Sequence, residues 1–261
     1  MRPEPSVSVL VMTYQHAPFI EHSLRAVLAL EGSPVEVLVW DDHSTDGTWS
    51  RITSMVAAYT GPHRVRTFRH PHNVGGAQNA LSMVHAATGK LLIQSHGDDM
   101  PYPDRVVRIV DLWRRTGASM ITHDVDILEH GAVQGAQLGS RPGRVVGDRP
   151  ITLEELLTVP FRDELLGATM AFTRDIFDRF APWDMDQLSA FGPGDSILPF
   201  RAALTGGLRF LDAPLTRWRQ HGGQVSRFVV QPGATGDKVA QSAGHETLKA
   251  FLVVALQQRL R

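Results

Sequence analysis

The sequence predicts an α/β domain built on a mostly parallel sheet, and three observations predict it. Continuous apolar runs of strand length alternate with stretches of helical periodicity, so successive strands need crossover connections. Those runs end in polar, acidic or glycine-containing loops, which places chemistry along one edge of the sheet. The 261 residues, 43% of them hydrophobic, suffice for one large core. A formal net charge of -1 exerts no general pull on nucleic acid, so partners must be read from sites. Without cysteine there are no disulfides, thiolate metal sites or cysteine nucleophiles. Met1 to Pro5 is polar and leads straight into a strand, and no apolar run is long enough to span a bilayer. The expectation is a cytoplasmic protein.

Taken in order, Val7 to Met12 is the first strand; Thr13-Tyr14-Gln15 breaks it, and a helix follows from Pro18 to Leu30. Val35 to Trp40 repeats the pattern, ends in Asp41-Asp42-His43-Ser44-Thr45-Asp46-Gly47, and gives way to a helix reaching Tyr59. Val65 to Arg69 is a shorter strand, after which Asn73-Val74-Gly75-Gly76 turns the chain into a helix over Ala77–Ala87 that Gly89 stops. Leu91 opens a buried strand ending at His96-Gly97-Asp98-Asp99. Pro103 suits the first turn of the next helix. Met120 to Leu128 reads as a strand, and Glu129-His130-Gly131 as a tight turn toward Ala132-Val133. Gly135 to Pro150 lacks periodicity and has the length of a functional flap. Leu153–Thr158 and Arg174–Phe180 read as helical, around a short buried strand Ala168–Phe172. Gly194-Asp195-Ser196 precedes a helix to Leu204, and Leu208–Leu211 and Leu215–Gln220 read as two strands. The tail from Lys238 to Arg261 is amphipathic, with packing on the domain as its default role and a homodimer or a peripheral membrane contact as the alternatives.

The pair Asp98-Asp99 stands out because it sits at the C-terminal lip of a buried strand. Two like charges side by side need solvent, strong donors or a hard divalent cation. The other reading is a turn that caps the following helix. Several chemistries are excluded: there is no Gly-x-Gly-x-x-Gly after the first strand, no Gly-Lys-Ser/Thr phosphate loop, no paired-histidine zinc pattern and no Gly-x-Ser-x-Gly.

A series of motifs then carries a resemblance. Val-Ser-Val-Leu-Val-Met-Thr-Tyr (7–14), Val-Trp-Asp-Asp-His-Ser-Thr-Asp-Gly-Thr (39–48), Asn-Val-Gly-Gly (73–76), Ala-Thr-Gly-Lys (87–90) and Gly-Asp-Asp (97–99) resemble, in order and spacing, the landmarks of family 2 glycosyltransferases with the GT-A fold. Gly-Asp-Ser (194–196) and Trp-Arg-Gln-His-Gly-Gly-Gln-Val-Ser (218–226) resemble that family's catalytic segment and its C-terminal Arg-x-His segment. The resemblance implies one domain over 1–261, with a nucleotide-binding half (6–123), an acceptor-binding and catalytic half (124–226) and a C-terminal helix (238–261).

It also implies roles. Thr13 and Tyr14 would line the base pocket, and Asp42 would accept the base imide N–H, with Asp41 structural. Asn73 and Gly75 would belong to the nucleotide loop. Asp98 would hold ribose or the metal shell, Asp99 would ligate Mg2+ or Mn2+, and His221 would join the metal or a phosphate, with Arg219 beside the diphosphate. Asp195 would be the general base. Taken singly, Asp42 and Asp195 also read as helix caps and His221 as a loop histidine. Gly194 departs from the family's usual Glu, and Gln78 and Asn79 stand where a basic residue is common. Phosphate neutralisation then falls to Arg69, Arg219 or the metal, with Arg141, Arg144 and Arg149 a further source of charge or merely solvated. The implied reaction is metal-dependent inverting transfer of a sugar from a nucleotide diphosphate sugar, UDP-linked by choice, to a hydroxyl of a glycan or glycolipid acceptor in surface polysaccharide synthesis, at the inner face of the membrane or in the cytoplasm. The alternatives are a catalytically silent nucleotide-sugar binding module and a sugar nucleotidyltransferase, whose Gly-rich loop is missing.

Overall fold

The computed structural model describes residues 6–136, 147–158, 165–180 and 197–223. Strand β1 (Val7–Thr13) lies between β2 (Glu36–Asp41) and β4 (Leu91–His96), with β3 (Arg64–Arg69) outside β2, all paired in parallel. Parallel pairing demands crossovers, and the helices that supply them cover both faces. Val9, Val11, Val37, Val39 and Ile93 meet α1 (Ile20–Leu28), α2 (Thr48–Ala57) and, further along the chain, the helix Arg105–Thr116. Leu10, Leu38 and Leu92 point the other way, onto α3 (Gly76–Ala86). This explains why these strands read as unbroken apolar runs. Each such side chain, fully buried, contributes about 1.5–3 kcal/mol relative to exposure.

Beyond β4 the sheet becomes mixed. A two-residue strand β5 (Met100–Pro101) precedes α4 (Arg105–Thr116), the helix already met. β6 (Met120–Glu129) and β7 (Ala132–Ala136) form a hairpin whose two central residues, His130 and Gly131, both have positive φ, as a tight hairpin turn requires. β8 (Arg149–Ile151) leads to α5 (Leu153–Thr158), then β9 (Ala171–Thr173), α6 (Asp175–Asp178), α7 (Ile197–Thr205) and β10 (Leu208–Arg219). Among the described residues the sheet has ten strands, with the main path β3-β2-β1-β4-β9-β6-β10-β5. The long pairings, β6 with β10 included, are parallel, and the antiparallel ones come from short strands. Residues of α5 and α7 complete the core on the α3 side.

Three readings from sequence need correction. Leu208–Leu211 and Leu215–Gln220 are one strand, because β10 absorbs Asp212 to Pro214 as irregularities in its pairing with β6 rather than turning there. Ala168–Phe172 is not one strand: Gly167–Thr169 is a 3-10 turn, and only Ala171–Thr173 is extended. The turn is held by Thr169 Oγ1 donating to Leu166 O and by the Arg105 guanidinium donating to Ala168 O. The helix expected over Arg174–Phe180 shrinks to Asp175–Asp178. Within Gly135–Pro150, strands reach in from both sides, and 137–146, with Arg141 and Arg144, lie outside the described residues, as do Asp195 and the tail helix.

Candidate active site

Backbone bonds bring three loops level at one edge of the sheet. Asp42 N–H donates to Thr13 O at 2.9 Å, Gly97 N–H to Met12 O at 2.9 Å, and His70 N–H to Asp41 O at 3.0 Å. The loop after β1 is laced to the loop after β2. Gln15 N–H reaches Ser44 Oγ (2.8 Å), His16 N–H reaches Thr48 Oγ1 (2.9 Å) and Ala17 N–H reaches Asp46 Oδ2 (2.9 Å). Burial works to raise the Asp46 carboxyl, but the bonds from Thr48 and Ala17 outweigh it and hold it lowered and anionic.

The two carboxylates after β2 divide their work. Asp41 is fully buried and structural, pairing with Arg69 Nε at 3.1 Å and accepting from Ser44 N–H at 3.1 Å and Thr13 Oγ1 at 3.3 Å. Arg69 also donates to Ser44 O at 2.7 Å, so it braces this loop. Asp42, 3% exposed, accepts Val74 N–H at 2.8 Å on one oxygen and Gly75 N–H at 2.9 Å on the other. Each oxygen keeps a second lone pair. Asp42 thus shapes the Asn73–Gly75 turn, where Asn73 Oδ1 also accepts Gly75 N–H at 3.2 Å and Gly75 takes a φ of 83°. Thr13 has its hydroxyl committed inward, whereas Tyr14 is 45% exposed at the lip.

Across the lip stand Asp98 and Asp99. Gly97 before them has no room for a side chain: a Cβ would lie 2.6 Å from His16 Nδ1 and 2.8 Å from Thr13 Cγ2. Asp98 Oδ2 accepts from His221 Nε2 at 3.0 Å and lies 3.7 Å from His16 Nε2. Because His221 Nδ1 accepts Gly223 N–H at 3.3 Å, its proton sits on Nε2. Burial would raise the Asp98 carboxyl, but the His221 bond and the fields of His16, His96 and His221 bring it down to about 2. Asp99, 2% exposed, goes the other way: burial first, then the Asp98 charge, raise it well above the ordinary carboxylate value. Its Oδ1 accepts Arg219 N–H at 2.9 Å, and Arg219 Nε donates to Asp98 O at 2.8 Å. The Arg219 guanidinium lies over the Phe19 ring, which also packs against His221. Beneath, fully buried Arg105 donates to Gln94 O and Ala168 O; burial pulls its guanidinium down to about 10, still cationic beside Asp99.

His96, Asp98 and Asp99 each offer a ligand atom within 4.8 Å of the others, a donor set that fits a hard divalent cation. Asp98 Oδ1 strengthens the fit, since it is buried without a hydrogen-bond partner among the described residues. The sequence reading named His221 for this cluster; the structure adds His96, whose Nδ1 is 3.6 Å from Asp99 Oδ2, and shows His221 bonded to Asp98. Sequence reasoning missed His16 and His96. A signal for His96 existed, three residues before Asp99 and adjoining the Gly97 turn; His16 had none. Arg149 is tied to Glu155 at 2.8 Å and does not belong to this edge. A cavity of about 550 Å³ lies at the opposite end of the strands, against Ser6, Val35 and Glu36, away from these carboxylates.

Fold and lip together define the GT-A class, an α/β sheet with an acidic pair at the end of its fourth strand. Solved structures share this fold, and two of them hold nucleotide sugars. Staphylococcus aureus TarS 1-349 in complex with UDP-GlcNAc superposes with a TM-score of 0.63 at 15% identity, covering 84% of this chain and 60% of that one. The mannosyltransferase PcManGT from Pyrobaculum calidifontis, in complex with GDP-Man and Mn2+, gives a TM-score of 0.59 at 21% identity, covering 81% and 55%. The chain belongs to glycosyl transferase family 2, whose family model matches residues 8–146. An uncharacterized glycosyltransferase of Nostoc sp. is 24% identical over 248 residues, 94% of this chain and 74% of the relative. The succinoglycan biosynthesis protein ExoO of Rhizobium meliloti is 30% identical over 185 residues, 67% of this chain but 48% of its own length. No helix among the described residues is long and apolar enough to cross a membrane.

Proposed function

We propose that this chain is a metal-dependent inverting glycosyltransferase that moves a sugar from a nucleotide diphosphate sugar, UDP-linked as first choice, to a hydroxyl of a glycan or glycolipid acceptor in polysaccharide synthesis. The observation that carries it is the Asp98–Asp99 pair with His96 at the lip, one buried carboxylate oxygen lacking a partner among the described residues. Family membership and the nucleotide-sugar complexes of the two structural neighbours support the reading.

His96, Asp98 and Asp99 would hold Mg2+ or Mn2+. When bound, such a cation stabilises the negative charge that builds on a departing diphosphate. Arg219 stands beside the same carboxylates with its guanidinium anchored by Nε, and its remaining donors suit a phosphate oxygen. Asp42, at the far end of the lip, would accept the imide N–H of the base, and Tyr14 would cover it. The acceptor hydroxyl loses a proton as it attacks the anomeric carbon, which calls for a base on the opposite face; Asp195 is assigned that role from the sequence. One displacement inverts the anomeric centre.

A thermal-shift screen of UDP-, dTDP- and GDP-sugars with Mn2+, followed by assay of donor cleavage, tests this. A ligand at 100 times its dissociation constant raises stability by about 2.7 kcal/mol. A metal-dependent shift with slow donor hydrolysis supports the transferase; a shift with intact donor identifies a silent binding module; no shift with any nucleotide sugar refutes the assignment.

A further inference from the structure

We propose that His16, in the loop between β1 and α1, is a positioning residue of the cation site and acts through Asp98. The inference rests on the reading of that site given above and adds a residue to it. His16 Nε2 lies 3.7 Å from Asp98 Oδ2, the same oxygen that accepts from His221 at 3.0 Å. The two imidazoles meet edge to face, with centroids 6.5 Å apart and an interplanar angle of 89°. They bracket one oxygen of the carboxylate. The other, Oδ1, is buried without a hydrogen-bond partner among the described residues. The rings therefore decide which oxygen is left for a cation.

His16 is held where it can do this. Its N–H is taken by Thr48 Oγ1 at 2.9 Å, and its carbonyl accepts from Phe19 and Ile20 at the start of α1, at 2.9 and 2.8 Å. On either side, Gln15 and Ala17 are bound to Ser44 and Asp46. The ring packs on Gly97 through Nδ1, a buried nitrogen with no partner among the described residues. A buried nitrogen of that kind is costly as an N–H and cheaper as a bare lone pair, which leaves the proton on Nε2, the atom facing Asp98. Groups one step out from a ligand fix its orientation, and their loss costs metal affinity although they never touch the metal. The same loop carries Thr13, Tyr14 and Gln15, so His16 ties the nucleotide end of the lip to the carboxylate end.

The test titrates Mn2+ into the full chain with UDP present, by calorimetry, and measures UDP affinity separately in EDTA. His16→Phe keeps a ring but loses the donor; the expected result is a 10–100-fold loss of Mn2+ affinity, with metal-free UDP affinity held, the size seen for such supporting residues. His16→Gln restores a donor at similar reach and should recover most of the loss. In an Asp98→Asn background, His16→Phe should cost nothing more, because the interaction partner is already changed. Equal Mn2+ affinity in wild type and His16→Phe overturns the inference. So does the same loss in both backgrounds, which would make His16 a direct ligand, or an equal loss of metal-free UDP affinity, which would make it a general loop support. Where melting curves show that the Phe variant does not fold, His16→Met against His16→Gln carries the same comparison. Failure of the wild type to bind Mn2+ with UDP overturns the proposed function itself, an outcome separate from those above.

Discussion

Replacing Asp42 with Asn tests the nucleotide end of the lip and can be worked from the structure. The carboxylate accepts two backbone N–H groups, from Val74 at 2.8 Å and Gly75 at 2.9 Å. An amide can accept only one of them and turns an NH2 group toward the other. The loss of one bond to a charged acceptor costs about 1.5–3 kcal/mol. In a chain of this size each kcal/mol moves the melting point by roughly 2–4 °C, so the variant should melt roughly 3–12 °C lower. If the carboxylate also accepts the base imide N–H, the uridine nucleotide should bind about 1–3 kcal/mol more weakly, or roughly 5–150-fold. Asn73→Ala removes the 3.2 Å bond to Gly75 without touching Asp42, so its milder loss of stability separates the turn's own contribution from that of the carboxylate. Scanning calorimetry reads the first effect and isothermal titration the second. A variant with an unchanged melting point would refute the load placed on Asp42, and equal nucleotide affinity would remove it from the base pocket.

Three further expectations follow from named residues. Glu36 accepts from Ser8 (2.6 Å), Thr88 N–H (2.8 Å) and Arg66 (3.0 Å). Burial pushes its carboxyl up, but those bonds outweigh burial and hold it below the ordinary carboxylate value, so its stabilisation is complete above the unfolded value and is lost as pH falls through the lower folded one. Glu36→Gln should therefore lower stability at pH 7 and flatten the acid limb of the melting-point profile; superimposable profiles would contradict this. Gly97→Ala places a methyl 2.6 Å from His16 Nδ1 and 2.8 Å from Thr13 Cγ2, and overpacking of that kind costs about 1–3 kcal/mol. Melting as well as the wild type, with unaltered Mn2+ affinity, would show that the turn has slack. Asp195→Asn should keep donor and metal affinity while lowering turnover by roughly 10²–10⁴-fold, the worth of a positioned general base. Wild-type turnover would move the base elsewhere, first to Asp184 or Asp186.

The parallel half of the sheet was legible because burial on both faces writes each strand as a continuous apolar run, and because each run stops where the chain must meet solvent or ligand. Asp98 and Asp99 stood out for the same reason, as an acidic pair that closes the buried run Leu91–Ser95, and the structure sets both at the lip with Asp99 buried. What the sequence hid was long-range geometry. Asp212 and Pro214 look like a turn, yet the pairing of β10 with β6 carries the chain through them. Ala168 belongs to a 3-10 turn because a guanidinium distant in sequence, that of Arg105, takes its carbonyl. The double load on Asp42 comes from the N–H groups of Val74 and Gly75, and no local pattern announces it. His16 reaches Asp98 only because the loop after β1 is pinned to Ser44, Asp46 and Thr48.

The central claim is that the lip after β4 binds a nucleotide diphosphate through a divalent cation held by Asp99. Isothermal titration of UDP into wild type and Asp99→Asn, each with Mn2+ and with EDTA, tests it most directly. Burial already disfavours the charge on Asp99, so the neutral amide should fold at least as well as the acid. Mn2+ is expected to strengthen UDP binding to the wild type, Asp99→Asn to lose this gain, and both to bind UDP alike in EDTA. A variant whose UDP affinity responds to Mn2+ as the wild type does would contradict it.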